Sequence, residues 1–132
     1  MRIFLDANIL FSAALPHSRM RAFLDVLLDL APCATNEYAV EEARRNLSMK
    51  FPEGVKALER LAKQCEIVAR LESDLGVELP LKDVPILGGA VASQATHLLT
   101  GDERDFGKFW GKTIHGVKIV SPRMLAEELR VS

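Results

Sequence analysis

Residues 81–106 have the sequence LKDVPILGGAVASQATHLLTGDERDF, whose first half predicts a helix that packs tightly on a sheet. Asp83 precedes this helix, and Pro85 lies in its first turn, where a missing backbone N–H leaves no helical hydrogen bond unmade. The predicted helix, about 84–95, contains five small residues that allow a close approach to a sheet: Gly88, Gly89, Ala90, Ala92 and Ala95. The segment therefore predicts a helix that covers one face of a sheet.

The second half of this segment belongs to an alternation of strands and helices along the chain. Residues 96–100 (THLLT) predict a buried strand, Gly101 a turn, and Asp102 the start of another helix. Further strands are predicted at 2–6, 33–35, 66–69 and 117–120, and further helices at about 18–30, 37–49, 53–65 and 122–130. This order favours an α/β fold, a three-layer α/β/α sandwich with a mostly parallel central sheet. We expect a single domain, residues 1–132, with a loop-like stretch at 70–82.

The composition is that of a globular protein without a membrane-spanning segment. The 132 residues carry a formal net charge of −1, and no apolar run approaches the roughly 20 residues that a membrane span needs. The N-terminus lacks a signal-peptide pattern, so we expect a cytoplasmic protein. Cys33 and Cys65 have no CxxC spacing and are expected to be buried thiols. The near-neutral charge argues against binding of nucleic acid by bulk electrostatics, although not against a local site.

Four acidic residues are candidates for a shared site: Asp6, Glu42, Asp83 and Asp102. Taken singly, Asp6 suits an Asx turn and Glu42 suits a solvated helix face. Asp83 and Asp102 each suit the N-cap of a helix. Three of the four, however, fall at the edge where parallel sheets bind ligands, and carboxylates crowded there repel one another unless a cation is bound. The set therefore predicts a site for Mg²⁺ or Mn²⁺, which take oxygen ligands.

Three polar residues near these positions could support such a site. Asp105 lies one helical turn beyond Asp102 and could serve as a ligand or orient metal-bound water. Asn8 could steady the carboxylate of Asp6, and Thr100 could place its hydroxyl group at the same edge. An ordinary turn role for Asn8 and a strand-end role for Thr100 remain open.

Four segments, taken in order, resemble the PIN domain, a metal-dependent nuclease fold used by the toxins of many bacterial and archaeal toxin–antitoxin pairs. They are MRIFLDANIL (1–10), EYAVEEARRNL (37–47), the segment 81–106 quoted above, and VKIVSPRML (117–125). Each motif is short, and the specific signal is their order over nearly the whole chain. The resemblance implies a PIN-domain ribonuclease, either a VapC-like toxin or a stand-alone PIN nuclease.

The resemblance also implies which residues form the site. The family's acidic quartet falls on Asp6, Glu42, Asp83 and Asp102, with Asp105 as a fifth acid and with Asn8 and Thr100 as the polar positions beside them. Glu42 is preferred to Glu41 because the family pattern places its acid directly before a small apolar residue, here Ala43. The resemblance further implies Mg²⁺ or Mn²⁺ as cofactor, an RNA substrate cut to leave a 5′-phosphate, a possible antitoxin partner and a homodimer.

Two other functions remain open from the sequence. A phosphohydrolase of the haloacid-dehalogenase type would use Asp6 as a covalent nucleophile, but that pattern asks for an Asp at position 8, where Asn8 stands. The other is a PIN-like module that binds RNA or protein without cutting, and the complete acid set argues against it. Candidate phosphate contacts are Lys82, Arg104, Arg44 and Arg45. Candidate aromatic contacts are Tyr38, Phe106, Phe109 and Trp110, of which the last three suit a core or a dimer face better.

Overall fold

Six strands form one sheet in the computed structural model, which describes residues 1–130. In chain order they are β1 (Ile3–Leu5), β2 (Cys33–Thr35), β3 (Glu66–Ile67), β4 (His97–Leu99), β5 (Thr113–Ile114) and β6 (Val117–Val120). Their order across the sheet is β3-β2-β1-β4-β6-β5. Strand β5 runs antiparallel to β6 and the other pairings are parallel, which confirms the predicted, mostly parallel central sheet.

Within residues 1–130, seven α-helices accompany the sheet: α1 (Ala7–Ala14), α2 (Arg19–Leu30), α3 (Glu37–Lys50), α4 (Val55–Lys63), α5 (Val84–Ala92), α6 (Glu103–Phe106) and α7 (Pro122–Leu129). Helix α1 packs against α2, α3 and α4, whereas α5 contacts β2 and β4 and α7 contacts β6. The result is the predicted three-layer α/β/α sandwich. None of the helices within residues 1–130 combines the length and the apolar character needed to cross a membrane.

Helix α1 has no counterpart among the predicted elements. Five of its eight residues are buried: Ala7, Ile9, Leu10, Ala13 and Ala14. The helix has only eight residues, most of them apolar, which is too short a stretch for the helical period to distinguish it from a continuation of the buried strand. Asp6 also directly follows β1 and caps α1, which leaves no run of turn residues between the two elements.

Strand β5 is also additional to the predicted elements. It is two residues long, and it is joined to β6 by His115 and Gly116, whose φ angles are +48° and +84°. Two left-handed residues in a two-residue loop form the type of turn that matches the twist of a β-hairpin. The signal is weak in the sequence because His rather than Asn or Asp occupies the first turn position.

Helix α5 lies closer to its neighbours than a helix with larger side chains could. A Cβ added at Gly89 would lie 2.9 Å from Cζ of Phe4 and 2.6 Å from Nδ2 of Asn36. A Cβ added at Gly88 would lie 2.2 Å from the carbonyl oxygen of Glu72. Atoms cannot approach this closely without displacement of the backbone or of the core, so both positions require glycine. The predicted close packing of this helix is confirmed.

The carboxyl ends of β1 and β4 lie side by side in the middle of the sheet. Leu5 pairs with Leu99 in the parallel register, so the residues that follow, Asp6 and Thr100, are also neighbours. Strand order reverses here, because the chain goes from β1 outward to β2 and β3 and returns to the other side of β1 at β4. In α/β sheets such a reversal opens a crevice at the carboxyl ends of the strands, where ligands bind.

Candidate active site

The carboxylate of Asp6 is held in one orientation at the carboxyl end of β1. Its Oδ1 accepts a hydrogen bond from the Ala7 N–H at 2.6 Å, which caps α1. Its Oδ2 accepts one from the Thr100 hydroxyl group at 2.7 Å and one from the Asn8 side-chain amide at 3.1 Å. Burial raises the pKa of Asp6 to about 6, and the hydrogen bonds from Thr100 and Ala7 oppose this shift.

Asn8 and Thr100 connect this carboxylate to the loop after β4. Oδ1 of Asn8 accepts a hydrogen bond from the Gly101 N–H at 2.8 Å, and Oγ1 of Thr100 accepts one from the Asp102 N–H at 3.0 Å. Asp102 in turn caps α6, because its Oδ1 accepts a hydrogen bond from the Asp105 N–H at 3.0 Å. Both polar residues predicted to support the site therefore fix the positions of acidic residues.

Three carboxylates converge beside this network. One oxygen from each of Asp83, Asp102 and Asp105 lies within 4.8 Å of the others. Asp83 is buried, and its Oδ2 has no hydrogen-bond partner among residues 1–130. Burial, and next the adjacent carboxyl group of Asp105, raise the pKa of Asp83 to about 7. Because the Asp83 side chain makes no capping hydrogen bond to α5, the simple capping interpretation of this residue is wrong.

Lys82 offsets part of the negative charge of this group. Its Nζ lies 3.2 Å from Oδ2 of Asp105, which is within ion-pair distance although the atoms are not aligned for a hydrogen bond. The neighbouring carboxylates, that of Asp105 first, raise the pKa of Lys82 and keep it charged. Among the predicted phosphate contacts, Lys82 lines the site, whereas Arg44 forms an ion pair with Glu41.

The two adjacent glutamates of α3 occupy different surroundings. Glu42 is half-buried and lines the crevice, and its charge contributes to the raised pKa of Asp6. Glu41 is exposed and forms an ion pair with Arg44. The placement therefore favours Glu42 over Glu41 as the acid that α3 supplies to the site.

The acidic residues share one open cleft of about 320 Å³. It is lined by Asp6, Asn8, Phe11, Glu42, Asn46, Lys50, Lys82, Asp83, Gly101 and Asp102. The four acids of the predicted quartet thus meet in one cleft, and Asp105 belongs to the three-carboxylate group with Asp83 and Asp102. Asp6 and Glu42 lie outside that group of three, so the five acids do not form a single tight cluster.

Apart from Gly101, three lining residues are absent from the predicted site: Phe11, Asn46 and Lys50. A signal for two of them is present in the sequence, because Asn46 and Lys50 follow Glu42 at intervals of four residues and so share its helix face. Phe11 has no comparable signal, since it lies on the unpredicted helix α1.

The donor set of the cleft fits a hard divalent cation. Mg²⁺ and Mn²⁺ take oxygen ligands, and the group of Asp83, Asp102 and Asp105 offers several carboxylate oxygens at close spacing. The unpartnered, buried Oδ2 of Asp83 is an acceptor that a cation would satisfy. Lys82 alone does not balance the carboxylates of Asp83, Asp102 and Asp105, so this group retains negative charge that a divalent ion would neutralise.

Solved structures with the same arrangement of elements exist, although their sequences differ widely from this one. VapBC2 from Rickettsia felis, bound to a DNA fragment from its promoter, matches with a TM-score of 0.67 at 20% sequence identity. The match covers 92% of this chain and 98% of that chain. The chain has the fold of a VapC-like PIN domain.

Two further solved structures share this fold. FitAB bound to an IR36 DNA fragment has a TM-score of 0.59 at 19% identity, and the match covers 91% of this chain and 94% of that one. FitAcB from Neisseria gonorrhoeae has a TM-score of 0.60 at 19% identity, with coverage of 92% and 98%. At these identities the likeness shows the PIN fold and not the activity. The sequence matches no family model, and no curated protein matches it.

Proposed function

We propose that this PIN domain is a metal-dependent endoribonuclease that hydrolyses RNA phosphodiester bonds in the acidic cleft. The observation that carries the proposal is Asp83, a buried carboxyl group with an unpartnered oxygen that lies beside the carboxylates of Asp102 and Asp105. This arrangement costs free energy unless a cation binds there. These three residues would hold Mg²⁺ or Mn²⁺, with Asp6 and Glu42 as further acids of the same cleft.

A bound Mg²⁺ or Mn²⁺ would activate a water molecule and stabilise negative charge on the phosphate during in-line attack. The residues of the chain prepare the site for this reaction. Thr100 and Asn8 hold Asp6 in a fixed orientation, and they donate hydrogen bonds that favour its charged form. Glu42 extends the acidic wall from α3, and Lys82 can contact a phosphate oxygen while it remains paired with Asp105.

We further propose that the protein acts in the cytoplasm as the toxin of a toxin–antitoxin pair. The support is that its structural neighbours are parts of the VapBC2 and FitAB complexes. The implied partners are a small antitoxin chain and a second copy of this chain as a homodimer. Co-expression with a short reading frame from beside the gene tests the first partner. We expect the two products to co-purify and RNA cleavage to be inhibited in the complex.

The nuclease proposal is tested by incubating end-labelled single-stranded RNA with the purified protein and Mg²⁺, Mn²⁺ or EDTA. We expect metal-dependent cutting by the wild type, with 5′-phosphate on the downstream product. Asp83→Asn and Asp102→Asn should abolish cutting, whereas Glu41→Gln removes a nearby charge outside the cleft and should leave cutting intact. RNA that stays uncut with both metals would contradict the proposal and favour the module that binds without cutting.

The haloacid-dehalogenase alternative gains no support from the site or the neighbours. Position 8, where that reaction needs a second carboxyl group, carries Asn8, whose amide is engaged with Asp6 and the Gly101 N–H. The structural neighbours are PIN domains. The experiment above covers this alternative too, since a phosphomonoesterase would remove a 5′-phosphate label without shortening the RNA.

A further inference from the structure

An aromatic ridge adjoins the acidic cleft at the C-terminal end of α3. Phe11 lines the cleft from α1, and Phe51 is the residue that ends α3. The centroids of the two rings are 6.4 Å apart and the ring planes are inclined by 59°, which is an ordinary aromatic pairing distance. Phe51 is 43% exposed, so part of this residue is open to solvent beside Phe11.

Lys50 places a positive charge on the same ridge. Its Nζ lies 5.9 Å from the centre of the Phe11 ring, and Lys50 also lines the cleft. A cation over an aromatic face is attracted by the ring, which holds the ammonium group near the cleft. Lys50 takes part in none of the ion pairs found within residues 1–130, so its charge is available to an anionic ligand.

The ridge lies at a defined distance from the acids. Glu42, Asn46 and Lys50 follow one another at four-residue intervals and form one stripe along α3 that faces the cleft. Eight residues at 1.5 Å rise place Lys50 about 12 Å beyond Glu42 along the helix axis. At that separation Lys50 can contact the phosphate of a nucleotide next to one whose phosphate is bound among the acids.

We propose that Phe51, Phe11 and Lys50 form a subsite for an unpaired nucleotide that flanks the cleaved phosphodiester bond. The inference rests on the ribonuclease function proposed above and assigns the substrate as single-stranded RNA. The base packs against the exposed ring of Phe51, its phosphate binds Lys50, and Phe11 supports both side chains. A base can stack on a protein ring only when it is unstacked from its own strand, so the subsite rejects duplex RNA.

The first test compares kcat/KM for single-stranded RNA among variants at position 51. Loss of base–aromatic stacking costs about 1–3 kcal/mol, so Phe51→Ala should lower kcat/KM by about 5- to 150-fold. Phe51→Trp restores a stacking surface and should cut at nearly the wild-type rate, whereas Phe51→Leu keeps bulk without a ring and should not. Met49→Ala is the matched control, because Met49 is 81% exposed near the same helix end and does not line the cleft.

The second test locates the stacked base. RNA substrates that carry one abasic nucleotide at successive positions around the cut should lose rate at one flanking position with the wild type. With Phe51→Ala, the same abasic substrate should lose nothing further, because the interaction is already absent. The proposal is overturned if Phe51→Ala behaves like Met49→Ala, or if Leu at position 51 restores the rate as well as Trp does.

A binding measurement separates failure of the subsite from failure of the ribonuclease proposal. If the wild type cuts no RNA, fluorescence anisotropy of a labelled single-stranded RNA oligonucleotide in EDTA tests the ridge alone. Weaker binding by Phe51→Ala than by Met49→Ala supports the subsite, and equal binding overturns it. A change of oligomeric state in Phe51→Ala with unchanged RNA binding and cleavage would also overturn it and assign the ridge to a protein interface.

Discussion

Thr100 donates its hydroxyl hydrogen bond to Asp6 at 2.7 Å, although the two residues are 94 positions apart in the sequence. The bond is buried and joins the end of β4 to the end of β1. The oxygen of the same hydroxyl group accepts a hydrogen bond from the Asp102 N–H at 3.0 Å. One small side chain therefore sets the relative positions of two acids of the cleft.

Thr100→Val should lower the stability of the protein, and it should also lower the rate of RNA cleavage at low pH. Loss of a hydrogen-bond donor to a buried carboxylate lowers the free energy of unfolding by about 1–3 kcal/mol. The pKa of Asp6 should rise further, so the acidic limb of the pH profile of RNA cleavage should shift to higher pH. Chemical denaturation and pH–rate profiles measure the two effects. Thr100→Ser keeps the hydroxyl group as a control, and a Val variant with the wild-type profile would refute the role assigned to this bond.

In the absence of a metal ion, the protein should be more stable at pH 5 than at pH 8. The pKa values of Asp83 and Asp6 in the folded protein, about 7 and about 6, lie above the ordinary value of 3.8. Between the ordinary pKa of 3.8 and the raised pKa values, the folded state therefore binds more protons than the unfolded state. The free energy of unfolding falls as pH rises through that window. Denaturation in EDTA at a series of pH values measures this. Stability that rises from pH 5 to pH 8 would contradict it.

Asp83→Asn should stabilise the metal-free protein at pH 8 while it removes the response to metal. The substitution eliminates a buried carboxylate, and one unit of pKa shift corresponds to about 1.4 kcal/mol, so a gain of at least about 1 kcal/mol is expected. Mn²⁺ should raise the melting temperature of the wild type and of Glu41→Gln but not that of Asp83→Asn. Thermal unfolding with EDTA and with Mn²⁺ measures both. Equal metal responses in all three proteins would place the ion elsewhere.

The neighbouring residues Glu41 and Glu42 offer a matched pair of substitutions. Glu42→Gln should lower kcat/KM for RNA by about 10- to 100-fold, the usual range for groups that support a metal site. Glu41→Gln makes the same change of charge one residue earlier, at an exposed position paired with Arg44, and should have little effect. Steady-state cleavage rates decide between them. Equal losses would indicate a general effect of negative charge rather than a defined position in the cleft.

Gly88→Ala should destabilise the fold by about 1–3 kcal/mol, the usual cost of overpacking. The added methyl group would meet the carbonyl oxygen of Glu72 at 2.2 Å, so either α5 or the segment 70–80 must shift. Gly107→Ala is the control, since its closest new neighbour is the flexible side chain of Glu103 at 3.3 Å. Urea denaturation compares the two. Equal stability of both variants would show that this contact is not tight.

Polar residues that directly follow buried strands are the part of the site that the sequence predicts well. Asp6 and Thr100 each come after a run of fully buried apolar residues, and the parallel register alone makes them neighbours. The small residues of α5 likewise predict its close packing without knowledge of the contacts. In each case a local pattern and the order of elements carry the information. Of the three aromatic residues expected in a core or at a dimer face, Phe106 is fully buried, whereas Phe109 and Trp110 are partly buried and pack against the core.

Features that depend on the angle between elements are not predictable in this way. Phe11 and Phe51 meet because α1 packs against α3, and α1 itself is not among the predicted elements. Asp83 shows a second limit, since its position at the start of a helix suggests a cap while its side chain lies instead with two other carboxylates. Local sequence preferences cannot predict this placement of the Asp83 side chain, because the two neighbouring carboxylates, Asp102 and Asp105, come from a later part of the chain.

The two outermost strands of the sheet, β3 and β5, are only two residues long. An edge this short exposes few free backbone donors and acceptors, which disfavours extension of the sheet by a strand from another chain. We therefore expect copies of the protein that associate to do so through side-chain contacts. Such contacts can be weakened one residue at a time, which makes assembly separable from folding by surface mutation.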